Sequence, residues 1–363
     1  MGVHVTGNTW FACGRGNRAE QLGYATRVGR FAPSGESHHP VHLTTPLGRA
    51  MFRRPSKLLM VTAVAATAVT IASGCEAKVY GTPPAPASPP LTVVAPLGSI
   101  APLPEAPPDE PAAAFSGLDT RERQAVADAS KSGADITVAV LDRNTGQLVT
   151  NVNSGSIAIA SVVKLFIADD LLLQVSKGQT QLSPDDRAAF DRMLRSSDDS
   201  AAENFWNRGG GSAIINRVVA RYGLSATYPP SNGRWFNTIS SVTDLVRYYD
   251  MMLAGTGGLP PEQASLILSN LAASTPTAPD GMVPGGVYPQ RFGIPEGLYA
   301  EPVAVKQGWM CCIGADWLHV STGVIGPDRR YVMAISSMEA TDADDARATI
   351  TQAVKTMFPG GHI

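Results

Sequence analysis

The chain has 363 residues, of which 44% are hydrophobic, and this is enough for one large core or two modest ones. The formal net charge is −2, and no basic face or basic run stands out, so nothing indicates a nucleic-acid partner. The four cysteines, Cys13, Cys75, Cys311 and Cys312, form no disulfide framework, and no spaced Cys/His cluster predicts a structural zinc site. We therefore expect no cofactor.

The first 75 residues contain an export signal. Residues 1–50 show neither apolar periodicity nor a targeting pattern, whereas a signal begins at Met51 with three basic side chains between positions 53 and 57. Residues 58–71 follow as an apolar run that is too short to span a bilayer comfortably. Because a signal belongs at the start of a chain, we expect translation to begin at Met51 and residues 1–50 to be a start-site extension.

The signal ends in small residues followed by a cysteine. The segment Ala72-Ser73-Gly74-Cys75 resembles a bacterial lipobox, although Ala72 replaces the usual leucine. This resemblance implies that fatty acyl chains are attached to Cys75, which becomes the mature N-terminus on the outer face of the cell membrane. Residues 51–75 are thus predicted to be a lipoprotein signal peptide. The alternative is a transmembrane anchor with an incidental cysteine.

A proline- and alanine-rich segment follows the cysteine. Residues 76–114 contain runs such as Pro83-Pro84-Ala85-Pro86 and little apolar bulk. Because proline lacks the N–H donor that regular structure needs, the segment is predicted to be an extended tether between the membrane and a folded domain at residues 115–363.

The folded domain is predicted to combine a strand pair, an all-helical middle, and a final group of strands with a helix. The predicted helices cover residues 118–131, 161–175, 183–195, 212–222, 241–253, 261–273 and 342–358, with another beginning near 201. The predicted strands cover residues 136–141, 147–151, 302–306, 317–325 and 330–336. This order indicates an α/β (α+β) fold whose antiparallel sheet is completed by both ends of the domain.

A serine and a lysine three residues apart begin the second predicted helix. The spacing places Ser161 and Lys164 on one helix face, and the helix N-terminus favours developing negative charge. A lysine with a lowered pKa can accept the serine proton there, which is the chemistry of an acylated serine. By itself the pattern is also compatible with a helix cap and a surface lysine.

Two further motifs follow in order along the chain. Ser197-Asp198-Asp199 lies between two predicted helices, and Lys306-Gln307-Gly308 ends a predicted strand. Together with Ser161 and Lys164, they resemble the Ser-x-x-Lys, Ser-Asp-Asn and Lys-Thr-Gly motifs of class A β-lactamases and penicillin-binding proteins. The resemblance extends over residues 118–358 in collinear order.

This resemblance implies a fold and a set of roles. The family fold is an antiparallel sheet flanked by helices, with an all-α subdomain and the site between them. Ser161 would be the nucleophile, Lys164 its proton acceptor and Ser197 the relay to the leaving nitrogen. Lys306 would attract the carboxylate of a β-lactam or a peptidoglycan peptide, next to Gln307 and Gly308.

Three departures from the family pattern weaken the expected activity. Asp199 replaces an asparagine amide that donates to the substrate, and a carboxylate near Lys164 should hold that lysine charged. Gln307 replaces a hydroxyl-bearing residue. Residues 224–237, which in class A enzymes carry the glutamate that activates the deacylating water, contain no carboxylate.

Other reactive side chains are assigned structural roles. Cys311 and Cys312 are expected to be two reduced, packed thiols, with a vicinal disulfide or a reactive thiol as the alternative. His319 is expected to be structural. Three tryptophans are compatible either with a cleft lining or with core packing, namely Trp206, Trp235 and Trp309.

Three functions remain open. The domain is a serine hydrolase or acyl-transferase acting on β-lactams or peptidoglycan peptides with poor deacylation, a non-hydrolytic relative that binds an envelope ligand or partner, or a scaffold that retains the motifs as structural remnants.

Overall fold

A computed structural model describes residues 115–151 and 155–363. The predictions for residues 1–114, including the lipidation of Cys75, lie outside this range. The helices are α1 (Leu118–Lys131), α2 (Lys164–Ser176), α3 (Pro184–Arg195), α4 (Asp199–Arg208), α5 (Ser212–Tyr222), α6 (Val242–Leu253), α7 (Pro261–Ala272), α8 (Ile294–Gly297) and α9 (Ala343–Met357). The strands are β1 (Asp135–Asp142), β2 (Leu148–Thr150), β3 (Ile157–Ala158), β4 (Ile239–Ser240), β5 (Thr277–Pro279), β6 (Val287–Pro289), β7 (Val303–Ile313), β8 (Asp316–Ile325) and β9 (Tyr331–Glu339).

The main sheet unites the two ends of the domain. Its five strands lie in the order β2-β1-β9-β8-β7, and every neighbouring pair is antiparallel. The first hairpin thus pairs with strands that lie nearly two hundred positions later in the chain, as in the register Val138 with Ile335. The mixed fold predicted from the order of elements is confirmed. The strands β3 and β4 form one small separate sheet, and β5 and β6 form another.

Alternation along the strands separates two hydrophobic layers. In β8, Leu318 and Val320 pack into the layer that contains the helical half of the domain, whereas Ile325 packs into the layer with α1 and α9. Successive side chains of a strand point to opposite faces, so a single strand contributes to both layers. The helix α2 is the centre of the helical half, because all of its residues from Lys164 to Leu173 are buried.

Side-chain caps determine where several helices begin. At α3, the Ser183 hydroxyl accepts a hydrogen bond from the backbone N–H of Asp186, and the Asp186 carboxylate accepts one from the N–H of Ser183. This reciprocal cap satisfies two donors that the first turn of a helix leaves without partners. Asp198 caps α4 in a similar way, through a hydrogen bond from the N–H of Ala201. This cap determines where the turn between α3 and α4 ends and α4 begins.

The strand β7 is longer than its pattern predicts. The expected strand ended at position 306, with the triplet Lys306-Gln307-Gly308 at its end, but the pairing with β8 continues from Val303 to Met310 before a register shift. The triplet therefore lies inside the strand, and the expectation was wrong. Glycine and two polar residues indicate a strand end in isolation, whereas β8 supplies the ladder hydrogen bonds that keep them in the strand. Within the described residues, no helix is long and apolar enough to cross a membrane.

Candidate active site

Ser161 lies in a tight turn that leads into the central helix. Residues Ala160–Val163 form one turn of 3-10 helix, and α2 continues directly from it. Ser161 is 8% exposed, and the residue before it, Ala160, has a left-handed backbone with a φ of 44°. Ser197, in the turn before α4, also has a positive φ, of 56°. Such conformations cost free energy in residues other than glycine and concentrate at functional sites.

Gly308 on β7 allows the sheet to approach this turn closely. A Cβ atom at Gly308 would lie 2.6 Å from the carbonyl oxygen of Ile159 and 3.0 Å from the backbone nitrogen of Ser161. Only glycine therefore fits between the strand and the turn without displacing one of them. The glycine of the third motif sets the distance between the β7 strand and the nucleophile.

Lys164 is fully buried and lies among four oxygen atoms. Its Nζ lies 2.9 Å from the Oγ of Ser161, 3.0 Å from the Oγ of Ser197, 2.7 Å from the carbonyl oxygen of Ser197 and 2.6 Å from Oδ1 of Asp199. An ammonium group has three N–H donors, so these acceptors share them. The first and second motifs are thus held together by one lysine side chain.

Lys306 completes a chain of polar groups. Its Nζ donates to the Oγ of Ser197 at 3.0 Å and to the carbonyl oxygen of Gln307 at 2.9 Å. A continuous series of hydrogen-bond distances therefore runs from Ser161 through Lys164 and Ser197 to Lys306. All three elements that carry the sequence motifs meet at this series, and each of its side chains is buried.

Burial and charge act in opposite directions on the two lysines. Burial lowers the pKa of Lys164 below its ordinary value, and the Asp199 carboxylate opposes this change. Burial lowers the pKa of Lys306 far below its ordinary value, and the neighbouring charge of Lys164 lowers it further. Asp199 is thus the main group that favours the protonated form of Lys164, and Asp198 adds a smaller effect in the same direction. A lysine in that form cannot accept the Ser161 proton.

A hairpin lies against the open side of the site. A Cβ atom at Gly281, in the connection between β5 and β6, would collide with Oδ2 of Asp199, so this backbone lies directly against that carboxylate. On the other side, the backbone N–H of Cys311 contacts the sulfur of Met282 at 3.2 Å. The hairpin connection therefore lies against both the first residue of α4 and the far part of β7.

Cys311 and Cys312 form a vicinal disulfide in the structure. The expectation of two reduced, packed thiols was therefore wrong. The peptide bond between the two residues is cis, and their Cα atoms are 2.9 Å apart. The pair lies where the pairing of β7 with β8 shifts register.

Three other predicted candidates lie away from the cluster. Gln307 alternates with Lys306 and Gly308, which places its buried side chain on the opposite face of β7 from the lysine. Trp309 shares that face and stacks on Tyr288, with ring centroids 4.6 Å apart. His319 is fully buried, its Nε2 lies 2.6 Å from the Tyr288 hydroxyl, and burial lowers its pKa to about 3. The structural role expected for His319 agrees with this neutral, enclosed position.

The connection between α5 and β4 faces Lys164 with an aromatic ring. Trp235 is 4% exposed, and the Nζ of Lys164 lies 4.8 Å from the centroid of its ring. Its indole N–H donates to Oε2 of Glu203 on α4 at 2.9 Å. Glu203 was missed in the sequence, although it lies four residues after Asp199 and hence on the same helix face. The connection contains no carboxylate, but the facing helix supplies one beside it.

The described part of the chain contains no group of His, Cys, Asp or Glu side chains that could hold a metal ion. The cluster itself brings together two hydroxyls, two lysines and a carboxylate. Ser161 and Ser197 both carry a hydroxyl that can form an ester, and Ser161 is the one that lies in the turn leading into α2. A neutral Lys164, 2.9 Å from its Oγ, is placed to remove the Ser161 proton. Ser197, between the two lysines, can accept one proton and donate another.

Solved structures with a similar fold include β-lactamases and PBP-A. A β-lactamase from Chitinophaga pinensis has a TM-score of 0.52 at 16% identity, with 65% of this chain and 98% of that one covered. A variant of PBP-A in an acyl-enzyme complex with penicillin G has a TM-score of 0.55 at 18% identity, with 70% and 98% covered. The TLA-1 β-lactamase has a TM-score of 0.54 at 12% identity, with 67% and 98% covered. The domain therefore has the fold of the class A β-lactamases and penicillin-binding proteins.

A sequence relationship identifies the family more closely. Proteins named lipoprotein LppW from Mycobacterium bovis and Mycobacterium tuberculosis are 55% identical to this chain over 319 residues, which cover 85% of this chain and all of theirs. The chain belongs to the LppW lipoprotein family. No family model matches the chain.

Proposed function

We propose that this protein forms a covalent acyl-enzyme at Ser161 with β-lactams or with peptidoglycan peptides, and that it releases the acyl group slowly. The observation that carries the proposal is the buried series from Ser161 through Lys164 and Ser197 to Lys306, with each step within 3.0 Å. The series links a nucleophile to a proton acceptor and then to a hydroxyl that can protonate a leaving nitrogen. The PBP-A structure that shares the fold holds penicillin G as an acyl-enzyme.

In the proposed acylation, the Ser161 oxygen attacks the amide carbonyl while the neutral Lys164 amine takes its proton. Collapse of the tetrahedral intermediate breaks the carbon–nitrogen bond, and the nitrogen receives a proton through Ser197. The Nζ of Lys306 lies 3.0 Å from the Oγ of Ser197 and can donate a hydrogen bond to the substrate carboxylate. The product is a serine ester, whose hydrolysis requires an activated water.

The slow release rests on the groups around the ester. Residues 224–237 contain no Asp or Glu that could activate a water molecule, and Trp235 occupies the side of the site that faces Lys164. Asp199 favours the charged form of Lys164 and can only accept hydrogen bonds when it is ionised. Both features limit turnover, and the second also slows the first acylation.

A fluorescent penicillin tests this proposal. The purified domain should acquire a covalent label that survives denaturing electrophoresis, and Ser161→Ala should acquire none. An excess of a peptidoglycan stem peptide should reduce labelling if that peptide enters the same site. A folded wild-type domain that shows no label above the Ser161→Ala background refutes the proposal.

Asp199 favours a second function, in which the site binds a ligand without reacting. Its Oδ1 pairs with Lys164, while 46% of its side chain is exposed at the mouth of the site. An exposed carboxylate at this position suits a ligand that presents a donor, such as an ammonium group. Calorimetry would then detect reversible binding of an amino-bearing stem peptide that is lost in Asp199→Asn and leaves no covalent adduct.

We also propose that the protein is anchored by lipid on Cys75 to the outer face of the cell membrane. The lipobox-like sequence supports this placement, as does the lipoprotein name of the relatives. The protein should partition with membranes when expressed in a mycobacterial host, and Cys75→Ser should release it. A Cys75→Ser variant that stays in the membrane fraction would contradict the lipid anchor. Mass spectrometry should recover no peptide from residues 1–50, and recovery of such a peptide would contradict the start at Met51.

A further inference from the structure

Two tryptophans hold the connection between α5 and β4 against α4. Trp235, in the connection, donates to Oε2 of Glu203 at 2.9 Å, and Trp206, on α4, donates to the carbonyl oxygen of Gly233 at 3.2 Å. The hydroxyl of Thr238 also donates to the carbonyl oxygen of Trp235 at 2.8 Å. Trp235 is thus held at its indole N–H and at its backbone carbonyl. The segment that contains it forms no regular hydrogen bonds with the main sheet.

The indole separates a carboxylate from the reactive cluster. One side of Trp235 faces the Nζ of Lys164, at 4.8 Å from the ring centroid, and its N–H engages Glu203. Glu203 lies four residues after Asp199, whose carboxylate contacts the same lysine, so the two acidic side chains are neighbours on one face of α4. The other oxygen of Glu203, Oε1, accepts only a surface hydrogen bond from Asn207 at 3.1 Å.

We infer that Trp235 is a positioning residue that keeps the Ser161 ester from hydrolysis, and that Glu203 is a general base masked by its indole. This inference rests on the acyl-enzyme proposed above and explains the stability of that intermediate. The indole fills the volume that an attacking water would need, and its N–H occupies the carboxylate oxygen that would accept the proton. Glu203 could thus activate a water molecule for hydrolysis, but its carboxylate is paired with the indole N–H instead.

Removal of the indole should allow hydrolysis of the Ser161 ester. A water molecule in the vacated volume attacks the ester carbonyl while the Glu203 carboxylate takes one of its protons. The tetrahedral intermediate then expels the Ser161 oxygen, which recovers that proton, and the acid product leaves with the oxygen of the water. The step needs no reagent other than water and regenerates both side chains.

The lifetime of the penicillin adduct tests the inference. The wild-type domain and Trp235→Ala are labelled with excess penicillin, freed of reagent and followed by intact-protein mass. Trp235→Ala should lose the adduct at least tenfold faster than the wild type and regain its original mass. In Trp235→Phe, which retains a ring over Lys164 but has no N–H, the adduct should remain long-lived.

The double variant Trp235→Ala/Glu203→Gln separates chemistry from disturbed packing. The double variant opens the same volume but lacks the carboxylate, so its adduct should persist as in the wild type. If Trp235 had only a structural role, the adduct would be lost equally fast from Trp235→Ala and from the double variant. Trp235→Leu, a smaller opening, should show the same dependence on Glu203 if the alanine variant does not fold. An adduct that is equally long-lived in folded Trp235→Ala, or that decays equally fast in the double variant, overturns the inference. No adduct in any variant refutes the acyl-enzyme proposal itself, and the inference falls with it.

Discussion

Replacing Asp199 with asparagine removes the charge that favours the protonated form of Lys164. The two groups are 2.6 Å apart, and Lys164 is fully buried whereas 46% of the Asp199 side chain is exposed. A hydrogen bond to a charged group contributes about 1.5–3 kcal/mol, and we take the lower end because water screens the exposed carboxylate. About 1.5 kcal/mol corresponds to roughly a tenfold change in the proton affinity of Lys164. Asp199→Asn should therefore increase the rate of Ser161 acylation about tenfold.

The initial rate of labelling by a fluorescent penicillin measures this change across a range of pH. Asp199 raises the pKa of Lys164 against the effect of burial, so its loss should move the rise in labelling rate to lower pH. Asp280→Asn removes an equal charge from the facing hairpin, where the carboxylate accepts from the N–H of Met282, and should leave the rate and the pH profile unchanged. An unchanged or slower rate in folded Asp199→Asn would refute the argument and favour the ammonium-binding function.

Three substitutions test the packing at the site and the buried charges elsewhere in the domain. Gly308→Ala should destabilise the fold by about 1–3 kcal/mol and abolish labelling, because its Cβ would press on Ile159 and on the nucleophile turn. Asp169→Ala should cost about 3 kcal/mol, since it removes the fully buried carboxylate that pairs with the partly buried guanidinium of Arg221. In the unfolded chain the pKa of His319 is about 6.5, whereas in the fold it is about 3. The neutral side chain therefore contributes fully to the stability of the fold above pH ~6.5, and this contribution is lost as the pH falls towards 3. Between neutral pH and pH ~5, the free energy of unfolding of His319→Gln should therefore fall by about 2 kcal/mol less than that of the wild type.

Urea unfolding measures all three free energies, with labelling as the second readout for Gly308→Ala. Full labelling of that variant would show that the turn tolerates a wider separation from β7. A cost below about 1 kcal/mol for Asp169→Ala would mean that water reaches Arg221. Equal acid sensitivity of the wild type and His319→Gln would show that His319 is protonated without unfolding.

The boundaries of the long helices and the positions of the main-sheet strands were largely predictable, because local chemistry determines them. Ser183 followed by Pro184 identified the first turn of α3, and the capping hydrogen bonds of Ser183 explain why. Alternating apolar residues predicted β8 within one residue of its observed start. The far end of β7 was not predictable, since Gly308 resembles a strand end until β8 is known to lie beside it.

The candidate site was predictable where short motifs carry it and unpredictable where distant segments meet. Spacing alone placed Ser161 and Lys164 together, and motif order added Ser197 and Lys306. Glu203 was missed because its importance depends on an indole that lies 32 positions later in the chain. The contact of Gly281 with the Asp199 carboxylate was likewise invisible, since no local pattern relates a hairpin turn to a helix start.

The reaction of Ser161 is tested most directly by intact-protein mass after incubation with benzylpenicillin. We predict a mass increase equal to one whole penicillin molecule, since opening of the lactam adds every atom of the reagent to the ester. Peptide mapping should place the increase on the segment that contains Ser161, and Ser161→Ala should show none. An unmodified mass for the folded wild-type protein, or an adduct that persists in Ser161→Ala, would contradict the account.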